Sequence, residues 1–204
     1  MQIDKFTSKF QQALDSAQSM AIGRDHQFIE PSHLMLALLL QQSGTVKPLL
    51  AQSGVTIGAY EQALEQELSR MAHVEGDSGT VHVSQNLVRL LNTCDKLSQK
   101  RQDQYISSQL FVLAVVVDKK QSGELLRKNG ATKASLEAAI DKEVRSFPNV
   151  NILLSHEALN FNDHENGVSV EVINHNSNSK VELTGKFLIG ADGAGSPVRQ
   201  SQDI

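Results

Sequence analysis

Two stretches of this chain match each other 77 residues apart, and an internal repeat limits the possible folds more than any single motif. Gln27-Phe28-Ile29 falls on Gln104-Tyr105-Ile106, and each is followed by an apolar run, Leu34–Leu40 and Phe111–Val117. The register extends outward: Thr7 falls on Ser84, Phe10 on Leu87, Leu14 on Leu91, Ala17 on Cys94, Met20 on Leu97 and Arg24 on Arg101. After a one-residue slip, Leu49-Leu50 falls on Leu125-Leu126, Gly54 on Gly130 and Leu64 on Ile140. The shared positions are mostly apolar or turn-forming, so they describe a scaffold. It covers about residues 3–146, with the copies at about 3–75 and 80–146, and residues 147–204 lie outside it.

Each copy reads as four helices. Phe10, Ala13, Leu14, Ala17, Met20 and Ala21 recur at spacings of three and four, which puts them on one helical face. Ser8 and Gln11 offer a capping box at its start. Glu30-Pro31 announces a second helix, since proline at the first helical position gives up only an N–H that has no partner there. His33–Leu40 is too uniformly apolar for a surface helix and belongs in the centre of a bundle. A short helix follows near Val46–Gln52, stopped by Gly54 in the left-handed conformation. Thr56 then opens a fourth helix with a stripe of Tyr60, Leu64, Leu68 and Met71. The second copy starts at Ser84, with Ser107 and Thr132 as caps and Gly130 as stop. The expectation is an all-α, eight-helix, pseudo-twofold bundle, followed by a small C-terminal β-hairpin or sheet.

Charge and cysteine content narrow the function classes. The net charge of −4 resides entirely in residues 147–204, which also hold eight of the eleven asparagines. The repeated part is neutral, and neither part has the basic face that nucleic acid requires. No apolar run approaches the roughly 20 residues of a membrane span, and the N-terminus has no signal-peptide pattern. The single cysteine, Cys94, excludes an internal disulfide framework and aligns with Ala17 on an apolar helix face, so it reads as a buried thiol in a reducing, cytoplasmic setting. The seven histidines show no ligand spacing, and no metal site is expected.

Four motifs carry a family resemblance: Phe6-Thr7-x-Lys9-Phe10-x-x-Ala13-Leu14, Gln27-Phe28-Ile29-Glu30-Pro31-x-His33-Leu34, Val74-Glu75-Gly76, and Cys94-Asp95-Lys96-Leu97-x-Gln99-Lys100-Arg101. Over residues 1–146 the chain resembles the N-terminal domain of ClpB-type protein disaggregases. The resemblance implies a non-enzymatic module on a hexameric ATP-driven ring, capturing exposed apolar segments of unfolded or aggregated clients. The sequence itself carries no G-x-x-x-x-G-K-[ST] phosphate loop; its one Gly-Lys pair, Gly185-Lys186, is followed by Phe187.

A client surface needs exposed apolar side chains beside polar groups that orient an extended peptide. Leu91 and Leu97 are six residues apart and do not share the centre of one stripe, so one lies toward the edge of the buried face, where Leu110 would join it. The resemblance places the matching leucines along a groove and implicates the positions of Thr7 and Asp103 in client handling. Gln109 stands where the family often has glutamate. Each residue also has a plain structural reading: Leu91 as core, Thr7 as helix cap, Asp103 as turn.

From Val150 the pattern alternates with period two. Val168, Val170 and Val172 follow the turn signal Asn166-Gly167, giving a hairpin over 159–174. Lys180–Leu183 and Lys186–Ile189 read as further strand, with Asn174–Ser179 as a polar loop. Phe187-Leu188-Ile189-Gly190-Ala191-Asp192-Gly193 resembles the Asp-Gly fingerprint of FAD-dependent flavoprotein monooxygenases, in which Asp192 and Gly193 would lie near the cofactor pyrophosphates. The glycine-rich G-x-G-x-x-G element that completes such a site is absent from this sequence, so the segment reads as a fragment fused to the helical part, with no cofactor expected. The alternative is a monooxygenase remnant that uses FAD and carries the helices as passenger. A third reading is an adaptor that docks a folded partner.

Overall fold

The computed structural model describes residues 3–73, 81–101, 103–145 and 149–190. The chain divides into two compact units, Met1–Val144 and Arg145–Ile204.

The first unit is helical. Its helices are α1 (Ser8–Ile22), α2 (Pro31–Leu40), α3 (Val46–Gln52), α4 (Ile57–Ser69), α5 (Gln85–Arg101), α6 (Ser108–Val117), α7 (Gln121–Lys128) and α8 (Lys133–Arg145). The order long, middle, short, long therefore occurs twice, as the repeat requires. Within each copy the first helix packs on the second, and α2 meets α5 and α4 meets α7 across the copies. The two apolar helices form the centre: Pro31–Leu39 is buried throughout, as is Leu110–Val116. Phe10 stacks near Phe111 with ring centroids 5.7 Å apart, which joins α1 of one copy to α6 of the other.

The symmetry is visible in hydrogen bonds. Short parallel strands β1 (Phe28–Ile29) and β2 (His82–Val83) pair Ile29 with Val83. At the positions 77 residues away, Phe6 forms the equivalent bridge to Ile106. The Ser84 amide donates to the Ile29 carbonyl at 3.1 Å, and the Thr7 amide donates to the Ile106 carbonyl at 3.1 Å. Phe28 and Tyr105 are correspondingly exposed, at 45% and 56%.

Caps and stops mostly follow the sequence signals. Ser84 Oγ accepts from the Leu87 amide, Ser107 Oγ from the Leu110 amide and Thr132 Oγ1 from the Ser135 amide. At α1 the expectation needs correction: the N-cap is Thr7, one residue earlier than Ser8, and Gln11 Nε2 reaches back to the Phe6 carbonyl at 3.0 Å. Leu40 is 59% exposed, so the buried run stops one residue short of the helix end. Met71 lies just past α4, while Tyr60, Leu64 and Leu68 form its buried stripe.

Both stop glycines adopt positive φ, +94° at Gly54 and +105° at Gly130, and they meet: a Cβ on Gly130 would lie 2.9 Å from the Gly54 carbonyl oxygen. A Cβ on Gly54 would meet nothing within 4 Å. Gly54→Ala should therefore cost about 1 kcal/mol of backbone strain, and Gly130→Ala about 2 kcal/mol or more because strain and clash add. Urea midpoints of the two variants check this; equal losses would refute a steric role for the contact.

The second unit is a three-stranded antiparallel sheet of β3 (His156–His164), β4 (Gly167–Asn174) and β5 (Ser179–Gly185), with β4 central. Val168 and Val172 are its buried apolar positions, with Val170 half-buried between them. Two details differ from the sequence reading. His164 pairs with Gly167, so the two-residue turn is Glu165-Asn166, and Gly167, at φ +149°, opens β4. Gly167 also explains the choice: a Cβ there would run into the Gly185 carbonyl of β5. Lys186–Ile189 forms no strand, since β4 ends its pairing at Val168 opposite Gly185 and offers nothing further to bond.

Candidate functional site

Of the residues predicted for the surface, Thr7 lies where the segment before α1 of the first copy meets the start of α6 of the second. Phe6–Ile106 pairing fixes Thr7 beside the start of α6: the Ile106 amide donates to the Lys5 carbonyl at 2.7 Å, and the Thr7 amide donates to Ile106. Thr7 is the N-cap of α1 in extended conformation, yet its side chain makes no capping hydrogen bond. The plain reading of this threonine as a helix cap holds for its backbone, without a side-chain bond. Lys5 Nζ lies 3.6 Å from an Asp95 carboxylate oxygen, which ties the chain start to α5.

Asp103 terminates α5. Its amide donates to the Ser98 carbonyl at 2.9 Å, and its exposed carboxylate lies 3.7 Å from Arg101 Nε. Gln109, half-buried on the first turn of α6, donates from Nε2 to Thr45 Oγ1 at 2.9 Å, joining α6 to the cap of α3. A glutamate there would be an acceptor only, and the Thr45 hydroxyl would have to turn to donate.

The three leucines separate. Leu97 is half-buried and packs against the edge of the core. Leu91 is 1% exposed and Leu110 4% exposed, so neither edges a surface. Leu110 was expected to join the edge; its place two residues into a helix buried on all sides puts it inside instead. Tyr105, more than half exposed, is the apolar side chain the sequence reading passed over, although its alignment with Phe28 had marked it. Asp192 and Gly193, which carry the flavoprotein resemblance, lie outside the described residues.

Cys94 is fully buried, and burial pushes its thiol up to about 12, so it is no nucleophile at neutral pH. Among the described residues, no group of three or more His, Cys, Asp or Glu side chains is placed to hold a metal ion. No helix there is long and apolar enough to cross a membrane.

With the duplicated bundle and its crossed pairings in view, comparison with known proteins is decisive. The profile of the Clp repeat (R) N-terminal domain matches residues 5–129. This chain belongs to the Clp repeat N-terminal domain family. It is 46% identical over 151 residues to the chaperone protein ClpB of Vibrio cholerae, covering 74% of this chain and 18% of that protein. It is 47% identical over 141 residues to ClpB of Pseudomonas putida, covering 69% and 16%. The chain thus spans less than a fifth of the length of these Clp proteins.

Solved Clp N-domains share the fold. The N-terminal domain of Candida albicans Hsp104 superposes with a TM-score of 0.59 at 18% identity, covering 68% of this chain and 91% of that one. The N-domain of ClpV from Vibrio cholerae gives 0.59 at 24% identity, covering 69% and 85%. A complex of a ClpV N-domain with a VipB peptide gives 0.54 at 21% identity, covering 68% and 86%.

Proposed function

We propose that residues 1–146 form the client-capturing module of a ClpB-type protein disaggregase, which holds exposed apolar segments of unfolded or aggregated proteins and delivers them to an ATP-driven ring. The observation that carries this reading is the pairing of Thr7 with Ile106, which sets Thr7 beside the start of α6 at the junction of the two copies. Tyr105 and Leu97 supply apolar contact, and Asp103 an exposed carboxylate. Leu91 and Leu110 support the surface from within. The peptide held by a ClpV N-domain of the same fold favours a peptide ligand over a folded docking partner. The module needs no cofactor and catalyses no reaction of its own, and it works in the cytoplasm.

The three-stranded unit plays no part in this reading. Its flavoprotein resemblance rests on the Asp192-Gly193 motif, and visible flavin absorbance in the purified protein would support the alternative.

Leu97→Glu should weaken binding to a fluorescent unfolded substrate by about tenfold, the equivalent of losing one apolar contact of 1–2 kcal/mol. The helical unit should keep most of its thermal stability, because Leu97 is only half-buried. Unchanged affinity in a folded Leu97→Glu variant would move the client surface elsewhere.

A further inference from the structure

The two free edges of the C-terminal sheet are not equivalent. β3 carries a bulge between Ala158 and Asn160, which twists that edge away from a flat partner. β5 pairs with β4 without a break from Ser179 to Gly185, contains no proline, and is exposed along its whole length. It bonds β4 along one side only, so alternate amides and carbonyls on its other side point outward. A straight, unprotected edge of this kind is a template for another strand.

The side chains of β5 are equally unfinished. Val181 stands opposite Val172 and Leu183 opposite Val170, on the apolar face of the sheet with Phe161. Val172 is buried and Val170 half-buried, yet Val181 and Leu183 are 48% and 40% exposed. The apolar layer therefore runs out at β5, where a further strand would continue it. On the other face, Glu182 stands directly across from Glu171. Like charges in opposed positions destabilise a sheet, and the nearby cation, Lys180, is bonded to Glu171 at 3.0 Å. Glu182 has no ion-pair partner among the described residues.

A second copy of β5 answers each of these features, and the charges choose its register. Around a twofold axis perpendicular to the sheet, two β5 strands run antiparallel with their apolar faces on the same side. Centred on Val181, the pairing puts Lys180 of each copy opposite Glu182 of the other. One residue to either side it fails. Centred on Glu182 it opposes the two glutamates, and centred on Lys180 the two lysines. Centred on Leu183, Glu182 faces Thr184 and gains no cation. Exposed ion pairs add little affinity, but the difference between unlike and like pairs fixes the register.

We propose that this chain dimerises through β5, antiparallel about Val181, joining two three-stranded sheets into one of six strands. On the reading given above for the helical unit, such a dimer would hold a client with two apolar segments at both and release it more slowly. The dimer itself stands on the C-terminal sheet alone, so it fails or survives separately from the client surface.

The test is sedimentation velocity of the full chain over a concentration series, with hydrogen exchange of β5 measured at both ends of the series. Cys94 is buried, so disulfide-linked pairs do not intrude. A contact of one strand per copy is smaller than a standard interface, and a dissociation constant of about 10–100 µM is expected. Exchange at the outward amides of β5 should slow as the dimer fills. Glu182→Lys sets a lysine opposite Glu171 within the sheet, which keeps the monomer intact, and opposite Lys180 across the dimer. It should weaken association about tenfold or more. Lys180→Glu should do the same by opposing Glu182. Mixing the two variants restores unlike charges at both positions and should restore the dimer. Should Lys180→Glu loosen its own sheet, the double variant Lys180→Glu/Glu182→Lys provides the same restoration in one chain. A chain still monomeric at about 1 mM would overturn the proposal, as would a dimer indifferent to Glu182→Lys. Dimers with unchanged exchange at β5 would also overturn it, and so would failure of both the mixture and the double variant to associate.

Discussion

Leu91→Glu should abolish the cooperative fold of the helical unit. Leu91 is 1% exposed, on a helix that packs on α6. Truncating such a leucine to alanine costs about 2–5 kcal/mol through lost burial and the cavity left behind. Introducing a charge adds the cost of desolvating it or of protonating it, several kcal/mol more. The sum reaches the roughly 5–15 kcal/mol by which a domain is stable at all. Far-UV circular dichroism and a urea melt would show loss of the sigmoidal transition. Leu97→Glu, six residues along the same helix and half-buried, should keep its transition. A folded Leu91→Glu protein with an ordinary melting temperature would mean that α5 can roll its apolar face outward, contrary to its packing.

Acid should weaken the helical unit between about pH 6.5 and 4. His33 is fully buried, and burial lowers its pKa from 6.5 to about 4, with His26 and Arg24 adding to the effect. The unfolded chain takes up a proton near pH 6.5 and the folded one resists it until about pH 4. Between these values the unfolded state binds more protons, so stability rises with pH across the window and is lost as pH falls through it. The full effect is about 3 kcal/mol. His26 shifts in the same direction, chiefly from burial. Glu67 opposes it: burial raises its pKa, so its protonated form favours the fold as pH drops. Urea midpoints measured from pH 7.5 down to 4 should fall, and His33→Gln should flatten the curve while lowering stability at neutral pH. A wild-type curve as flat as that of His33→Gln would show that His33 is not the titrating group.

The sequence made much of this legible because the repeat doubled every signal. Gly54 and Gly130 were each ambiguous alone, but together they fixed the ends of α3 and α7. Glu30-Pro31 located the start of α2, and the aligned Ser107 located that of α6. Periodicity fails where it must divide one helical face into core and rim. Leu91 and Leu97 carry the same side chain, and only the neighbouring helices decide that one is enclosed and the other half-exposed. The turn before β4 was misplaced by one residue because Asn166 and Gly167 both tolerate unusual backbone angles, and pairing with β5 chose the glycine alone. Lys186–Ile189 has strand composition, but the pairing of β5 with the central strand runs out at Val168 opposite Gly185. The His26–His33 pair was invisible for a different reason. At the aligned positions the second copy has Asp103 and Leu110, so the repeat that revealed the scaffold concealed what only one half contains.

The crossed pairings of Phe6 with Ile106 and of Ile29 with Val83 mean that neither half of the helical unit closes on itself. Each lends its leading segment to the other, as two subunits do when they exchange arms. The unit is in effect a permanent dimer written into one chain. During synthesis the first half leaves the ribosome with Phe6 and Phe10 lacking Ile106 and Phe111, and it stays unfinished until those residues have followed. For that interval, this protein presents the same kind of exposed apolar segment that we propose it captures.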